Sequence, residues 1–528
     1  MMVYAKEPSS GNSTRPRSAA RVSVGQPPVR INRRSATPAY RQIYARFREA
    51  IARGILRPGE RLPSARSLAS QLATARGTVD LAYSLLSEEG FIVSRGAAGT
   101  CVALGIIAPA KPSNPSLHTP LPTPLKRSEM PSRRIRGMAP FQMGVPALDA
   151  FPYPLWTRLT NRRARQVALR GLVSPDPVGY EPLRAALASY LAVARGIMCS
   201  PAQIVITCGF QGALGIITRA FLRAADQVWM ENPGYFLARA ALAAAGATLV
   251  PVAVDAEGID VAAGMAQAPQ ARFAYVTPSH QSPLGMSLSL PRRLALLAWA
   301  DRARAWIIED DYDGEFRYES RPLPALKSLD ESGRVLYTGT FSKVLLPGFR
   351  LGYLVVPEGQ IDLVRRTNEL FYRGCPTLEQ AIITDFIVDG HFARHIKRMR
   401  TLYSERRAAL FHALEKELSD QVHVELQAGG MHLVARFPGL GTDLALVESA
   451  SRHGLAPMAL SPWFMKRPSK RGPPALLLSF TNIPCDTADL AVTRLAQALR
   501  LPATPRNRKS PRAVPRRSIP AGADDSSG

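Results

Sequence analysis

The stretch Thr338–Tyr353, TGTFSKVLLPGFRLGY, follows the apolar run Val335-Leu336-Tyr337 and sets Lys343 just past a strand end, with Thr340 and Ser342 before it and Arg350 after it. A lysine that forms a Schiff base must present its amine at such an end, with hydroxyls and a guanidinium close by to take a phosphate. The pattern predicts a pyridoxal phosphate site, with Lys343 as the covalent anchor and Thr340, Ser342 and Arg350 in the phosphate cup.

Outward from this stretch, short apolar segments alternate with alanine- and leucine-rich helical ones: QIVIT, DQVWM, RFAYVT, AWIIED and RVLYTGT. Such interleaving predicts an α/β domain over residues 139–501, with a mostly parallel sheet covered on both faces. Ligand groups then belong at the carboxyl ends of the strands. Asp310 closes AWIIED and is the candidate carboxylate for the cofactor's ring nitrogen; Tyr312, two residues on, is placed for the ring hydroxyl. Gly209, Phe210 and Gln211 follow QIVI and open a helix, where backbone N–H groups favour a phosphate. Tyr235, in ENPGYFLAR, is the candidate to stack on the ring.

A different module precedes this domain. From Tyr40 the pattern is helical, with Ile43, Phe47, Ala50 and Ile51 on one face, ending at Gly54. In RLPSARSLASQLATARGTVDLAYSLLSEEGFIVSRGAAGTCV, residues 61–102, Ser64 caps a helix bearing Leu68 and Leu72. A tight turn leads to a second helix with Val79, Tyr83 and Leu86, and FIVSRGAAGTCV reads as two strands around a glycine turn. Helix, turn, helix and wing in this order predict a DNA-binding domain over residues 39–105. Arg66, Arg76 and Thr78 fall where the second helix starts, Arg61 and Arg95 are available for phosphates, and Ser64, Gly77 and Gly96 complete the DNA-facing set.

Residues 1–38 are basic and without periodicity, 106–138 are proline-dense and read as a linker, and 502–528 read as a polar tail; the first and last are expected to be disordered. The chain has 528 residues, 46% apolar, enough for several modules, and its net charge of +26 favours a polyanionic partner. Its five cysteines are scattered without metal-ligand spacing, so they are expected to be reduced thiols, and no metal is expected. No stretch reaches the length of a membrane span, so a cytoplasmic protein, in a bacterial cytosol at the nucleoid, is expected.

Taken together, VGYEPLRAALASYL, VTPSHQSPLG, IIEDDYDGEFRY, RPLPALKSLD, GTFSK and RLGYLV resemble the fold-type I aminotransferases, while the first module resembles the winged helix of the GntR family. Their fusion is similar to the MocR subfamily of regulators. The resemblance implies that Lys343 carries the internal aldimine, Asp310 pairs with the ring nitrogen, Tyr312 with the ring hydroxyl and Arg350 with the phosphate. It also implies a homodimer reading two half-sites in double-stranded promoter DNA. Three positions depart from these families: Asp80 stands where a basic residue is common, Ser282 where an asparagine contacts the ring hydroxyl, and Leu477, in LLLSF, where an arginine clamps the substrate carboxylate. Arg239, Arg373 and Lys466 are candidate substitutes for that arginine. The expectation is a regulator that senses an amine or amino-acid-type metabolite through Lys343. The alternatives are a working aminotransferase tethered to DNA, and a DNA-binding protein whose aminotransferase-like part is only a dimerisation scaffold; a half-reaction alone fits both sensor and enzyme.

Overall fold

The structure, a computed structural model, describes residues 31–96, 99–104, 138–166, 175–318, 323–466 and 472–501. The chain divides into two compact units, Met1–Leu125 and Lys126–Gly528. Most of the expected basic arm, nearly all of the expected linker and the whole expected tail lie outside the described residues.

In the first unit, helix α1 (Ala39–Ala52) buries Ile43, Phe47, Ala50 and Ile51, the stripe that its helical spacing dictates. Helix α2 (Ala65–Gln71) starts where Ser64 Oγ accepts the Ser67 N–H at 3.1 Å. Helix α3 (Arg76–Glu88) buries Val79, Ala82, Tyr83 and Leu86. Phe47 and Tyr83 meet edge to face at 5.7 Å, and the Tyr83 hydroxyl donates to the Pro63 carbonyl at 2.9 Å, so its polar end is satisfied as its ring is buried. Strands β1 (Ile92–Ser94) and β2 (Thr100–Val102) pair antiparallel, Ile92 opposite Val102, forming the wing. Ahead of α1, Ile31 packs against this core and Arg33 donates to the Ala73 carbonyl at 2.8 Å.

The second unit holds an eight-stranded sheet of β3 (Ile204–Thr207), β4 (Gln227–Asn232), β5 (Thr248–Asp255), β6 (Gly258–Ile259), β7 (Phe273–Val276), β8 (Trp306–Asp311), β9 (Val335–Thr340) and β10 (Gly352–Val355). Their order is β3-β10-β9-β8-β7-β4-β5-β6. Strands β9, β8, β7, β4 and β5 are mutually parallel, and β7 and β8 are buried along their whole length, as a sheet covered on both faces requires. Alternate residues feed separate cores: Met230 and Ile308 enter one, Trp229 and Ile307 the other, where Trp229 stacks on Trp299 at 3.8 Å. Strand β10 runs antiparallel to both β3 and β9. A smaller antiparallel sheet, of β11 (His423–Glu425), β12 (His432–Arg436), β13 (Met458–Ala459) and β14 (Ala475–Ser479), has the order β11-β12-β14-β13. Its inner residues share a large core with the long helix His391–Leu418 and with Ala488–Leu499.

Candidate functional site

The antiparallel strand matters to the site. Because β10 opposes both neighbours, its beginning lies on the same sheet edge as the ends of β3, β8 and β9. Arg350, just ahead of β10, therefore joins Gly209 after β3, Asp310 on β8 and Lys343 after β9. Arg350 holds a left-handed backbone (φ 52°) that turns the chain into β10.

A cavity of about 360 Å³ opens at this edge, within the range of small-molecule sites. Every residue expected to hold the cofactor lines it: Gly209, Phe210, Gln211, Tyr235, Ser282, Asp310, Tyr312, Thr340, Ser342, Lys343 and Arg350. Met143, Gly144, His432 from β12, Met458 from β13 and Trp463 line it too, and sequence reasoning missed them. Tyr275 and His280, also missed, act one layer out.

Lys343 Nζ lies 3.4 Å from the Gly144 carbonyl, which accepts from it. Burial lowers the lysine pKa, opposed by the negative charges of Asp313 and Asp310. A lysine held this way is more readily neutral and nucleophilic than one in water. Asp310 Oδ2 accepts a 2.6 Å hydrogen bond from the Tyr275 hydroxyl. Burial nevertheless lifts its pKa to about 7, with the Tyr275 bond opposing the rise. The Tyr312 hydroxyl meets His280 Nδ1 at 2.9 Å, and the same nitrogen lies 3.2 Å from Asp313 Oδ2. His432 Nε2 donates to the Pro283 carbonyl at 2.8 Å, and burial pushes its pKa down to about 3, so that ring is neutral.

Strand β8 carries three consecutive carboxylates with separate duties. Glu309 accepts the Leu326 and Lys327 N–H groups at 2.8 Å each. Asp311 accepts from Tyr337 at 2.7 Å and pairs with buried Arg195 at 2.5 Å. Only the middle one, Asp310, lines the cavity.

The residues present fit a phosphorylated cofactor. Gln211 Nε2 is buried without a hydrogen-bond partner among the described residues, an orphaned donor of the kind that a bound oxyanion satisfies. It sits in the first turn of the helix Gly209–Phe221, where unpaired amides favour an anion. Gly144 admits the lysine because a methyl group there would fall on Lys343 Nζ.

Leu477 is buried in β14, in an apolar cluster with Phe236 and Trp463, whose side chains line the cavity. Arg239, Arg373 and Lys466 are not among the lining residues. Arg239 donates to the Pro462 carbonyl at 3.2 Å, the Lys466 backbone N–H donates to Asn232 Oδ1 at 3.3 Å, and Arg373 is exposed. Among the described residues, the cations lining the cavity are Lys343 and Arg350.

In the first unit Arg61, Ser64, Arg66, Arg76, Gly77, Arg95 and Gly96 are exposed and Thr78 is half-buried. Arg61 lies over Gly99, where a side chain would collide with its guanidinium. Asp80 pairs with Arg76 one turn back on α3, at 3.4 Å. The acidic departure thus draws Arg76 along the helix surface, a contact that so exposed a pair makes weakly.

A winged helix and a lysine-bearing cavity of aminotransferase type on one chain define a DNA-binding protein with a small-molecule domain. Residues 39–102 match the model for bacterial regulatory proteins of the gntR family, and residues 158–459 that for aminotransferase class I and II, a fold of pyridoxal-phosphate-dependent proteins. The chain is 36% identical over 476 residues to the probable rhizopine catabolism regulatory protein MocR of Rhizobium meliloti, covering 89% of this chain and 95% of that one. It is 32% identical over 436 residues to the pyridoxine biosynthesis transcriptional regulator PdxR of Corynebacterium glutamicum, covering 82% and 90%. Among solved structures it resembles an archaeal alanine:glyoxylate aminotransferase, with a TM-score of 0.64 and 26% identity over 69% of this chain and 91% of that one. The chain belongs to the MocR-type transcriptional regulators of the gntR family, in which a DNA-binding winged helix is fused to an aminotransferase-like domain. No helix among the described residues is long and apolar enough to cross a membrane.

Proposed function

We propose that the cavity holds pyridoxal phosphate and that the regulator uses it to sense an amine or amino-acid-type ligand. The observation that carries this reading is the convergence of Lys343, Asp310 and the unpartnered Gln211 amide on one cavity at the sheet edge. When bound, the cofactor supplies an aldehyde with which a primary amine condenses, and a ring that withdraws electrons when its nitrogen is protonated. Lys343 offers the resident amine. Asp310 would pair with the ring nitrogen, Tyr312 and Ser282 with the ring hydroxyl, with His280 fixing the Tyr312 proton, and Tyr235 would cover the ring. Gly209, Phe210, Gln211, Thr340, Ser342 and Arg350 would hold the phosphate.

A ligand amine would compete with Lys343 for the cofactor's aldehyde, and would bias the domain only through differential binding to its arrangements. Leu477 supports sensing over turnover: with Lys343 and Arg350 committed to the cofactor, the described residues lining the cavity leave no bidentate clamp for a substrate carboxylate, a contact worth about 1.5–3 kcal/mol. The two relatives are named for unlike chemistries, a rhizopine and a pyridoxine, so the effector is proposed only as a class. On the DNA side, Arg61, Ser64, Arg66, Arg76, Gly77, Thr78, Arg95 and Gly96 face the duplex, and a cytoplasmic homodimer presents two winged helices to two half-sites. The module boundaries proposed with this reading are 39–105 and 139–501.

The test is spectroscopic. Purified protein should show a visible cofactor band that Lys343→Ala abolishes. Titrating candidate amines should shift that band, and the affinity of a true effector should change when promoter DNA is bound, because coupling is reciprocal. A Lys343→Ala protein whose DNA binding still responds to the effector as wild type does refutes the sensing role. Steady multiple turnover of an amino acid with a keto acid would instead favour the enzyme reading.

A further inference from the structure

The fold brings together two of the five cysteines. Cys208 and Cys375 are 167 residues apart in sequence, yet their sulfur atoms lie 3.3 Å apart. The other three, Cys101, Cys199 and Cys485, have no thiol partner among the described residues. Cys208 is exposed, while Cys375 is buried beneath it. Neither has a part in the site described above, although Cys208 directly precedes the Gly209–Gln211 turn.

The two sides of the pair are held differently. Cys375 is fixed: its carbonyl accepts from Gln380 Nε2 at 2.8 Å, and Gly374 before it (φ 88°) packs on the Asp176 carbonyl too closely to admit a side chain. Cys208 caps the helix Gly209–Phe221 without a side-chain hydrogen bond to the helix. The hydrogen bond between the two thiols, in which either sulfur can donate, holds the Cys208 thiol below its ordinary pKa; burial opposes this and the Arg350 guanidinium adds to it, while the Cys375 thiol also reaches the Ile206 carbonyl at 3.8 Å. Cys208 is the exposed member of the pair and therefore the sulfur that an incoming small disulfide reaches first, the nucleophile of the exchange.

We propose that Cys208 and Cys375 are a reversible thiol–disulfide pair, oxidised by a low-molecular-weight disulfide, whose closure displaces the Gly209–Gln211 turn and weakens retention of the cofactor phosphate. The coupling to the cofactor rests on the function proposed above; the disulfide does not. In the first step the Cys208 thiolate attacks one sulfur of the small disulfide, whose S–S bond breaks, and one small thiolate leaves and takes up a proton. The Cys375 thiol then loses its proton and attacks the Cys208 sulfur of the mixed disulfide, expelling the second small thiol. Two protein thiols are oxidised by two electrons and one small disulfide is reduced to two thiols. A disulfide needs its sulfurs at about 2.05 Å, so closure from 3.3 Å requires an approach of roughly 1.3 Å. With Cys375 fixed, most of that movement falls on Cys208 and the amides next to it.

The experiment treats the full-length, cofactor-loaded protein with oxidised glutathione and maps its peptides without reduction. The expected result is a Cys208–Cys375 cross-link, lost in Cys208→Ser and in Cys375→Ser, with Cys101 and Cys199 still open to alkylation. A glutathione adduct that stays on Cys208 without forming the cross-link would overturn the pair. For the coupling, the oxidised protein should bind pyridoxal phosphate about tenfold more weakly, with recovery under dithiothreitol and no change in Cys375→Ser. Cross-linking with unaltered cofactor affinity would overturn the coupling. A reduced protein that never binds the cofactor would refute the proposed function and the coupling with it, while the peptide map alone still decides the disulfide.

Discussion

The substitution Asp310→Asn should stabilise the empty protein and weaken its hold on the cofactor. The carboxyl is buried, and its pKa stands at about 7 rather than the ordinary 3.8. A raised carboxyl pKa means that the folded state holds the proton more tightly than the unfolded chain. Its contribution is therefore fully favourable below pH 3.8, declines as pH rises towards 7, and is constant above that. At about 1.4 kcal/mol for each pH unit between the two values, the cost to the cofactor-free protein at pH 8 reaches up to about 4 kcal/mol. The asparagine side chain keeps the shape and still accepts from Tyr275, but has nothing to ionise. The cofactor-free variant should thus melt higher than wild type at pH 8, and the gap should close towards pH 4. Burial also lifts Glu231, Glu309 and Glu315 to about 7, so only the difference between variant and wild type isolates Asp310. With cofactor present the gap should narrow, because losing a charge-assisted bond to the ring nitrogen costs about 1.5–3 kcal/mol, roughly ten- to a hundredfold in affinity. Scanning calorimetry at several pH values and a cofactor titration measure both. A gap that does not vary with pH, or unchanged cofactor affinity, refutes the reasoning.

Gly144→Ala should nearly abolish the visible cofactor band, since its methyl group falls on Lys343 Nζ, while the left-handed backbone (φ 77°) adds only about 1–2 kcal/mol of strain in a thermal melt. Arg66→Ala and Arg95→Ala should each weaken DNA binding across sequences alike and reduce the salt dependence by about one counterion, measured by fluorescence anisotropy at several salt concentrations. Phe47→Ala, at the centre of the first unit, should destabilise the winged helix by about 3–5 kcal/mol and lower DNA affinity, with the cofactor spectrum unaffected.

The strands of the large sheet were legible because β7 and the first halves of β8 and β9 are buried and read as short apolar runs, FAYV, WII and VLY. Helices α1 to α3 were legible because each buries a single stripe. The cofactor-facing residues could be read where they follow a strand, as Asp310, Lys343 and Gly209 do. Gly144 could not, because it is 199 residues from Lys343 and carries no motif. Tyr275 resembles any core aromatic until β7 and β8 pair and bring its hydroxyl to Asp310. His280 stood inside a quoted motif, yet its role depends on meeting Tyr312 and Asp313 in space. The cysteines, read as scattered thiols, show the same limit: Cys208 and Cys375 become neighbours only through the tertiary fold.

The Glu309-Asp310-Asp311 triplet makes β8 a strand that cannot slip. Moved by a single residue one way, it would put Asp310 against Arg195 and Glu309 in the cavity; moved the other way, it would put Asp310 at the amides of Leu326 and Lys327 and Asp311 in the cavity, away from Arg195. Three like charges in a row, which look redundant in the sequence, act as a ratchet with one permitted tooth. Insertions and deletions in this domain should therefore be tolerated in loops on either side of β8 and be lethal within it, so a deletion scan would trace the strand as a sharp gap in an otherwise permissive profile.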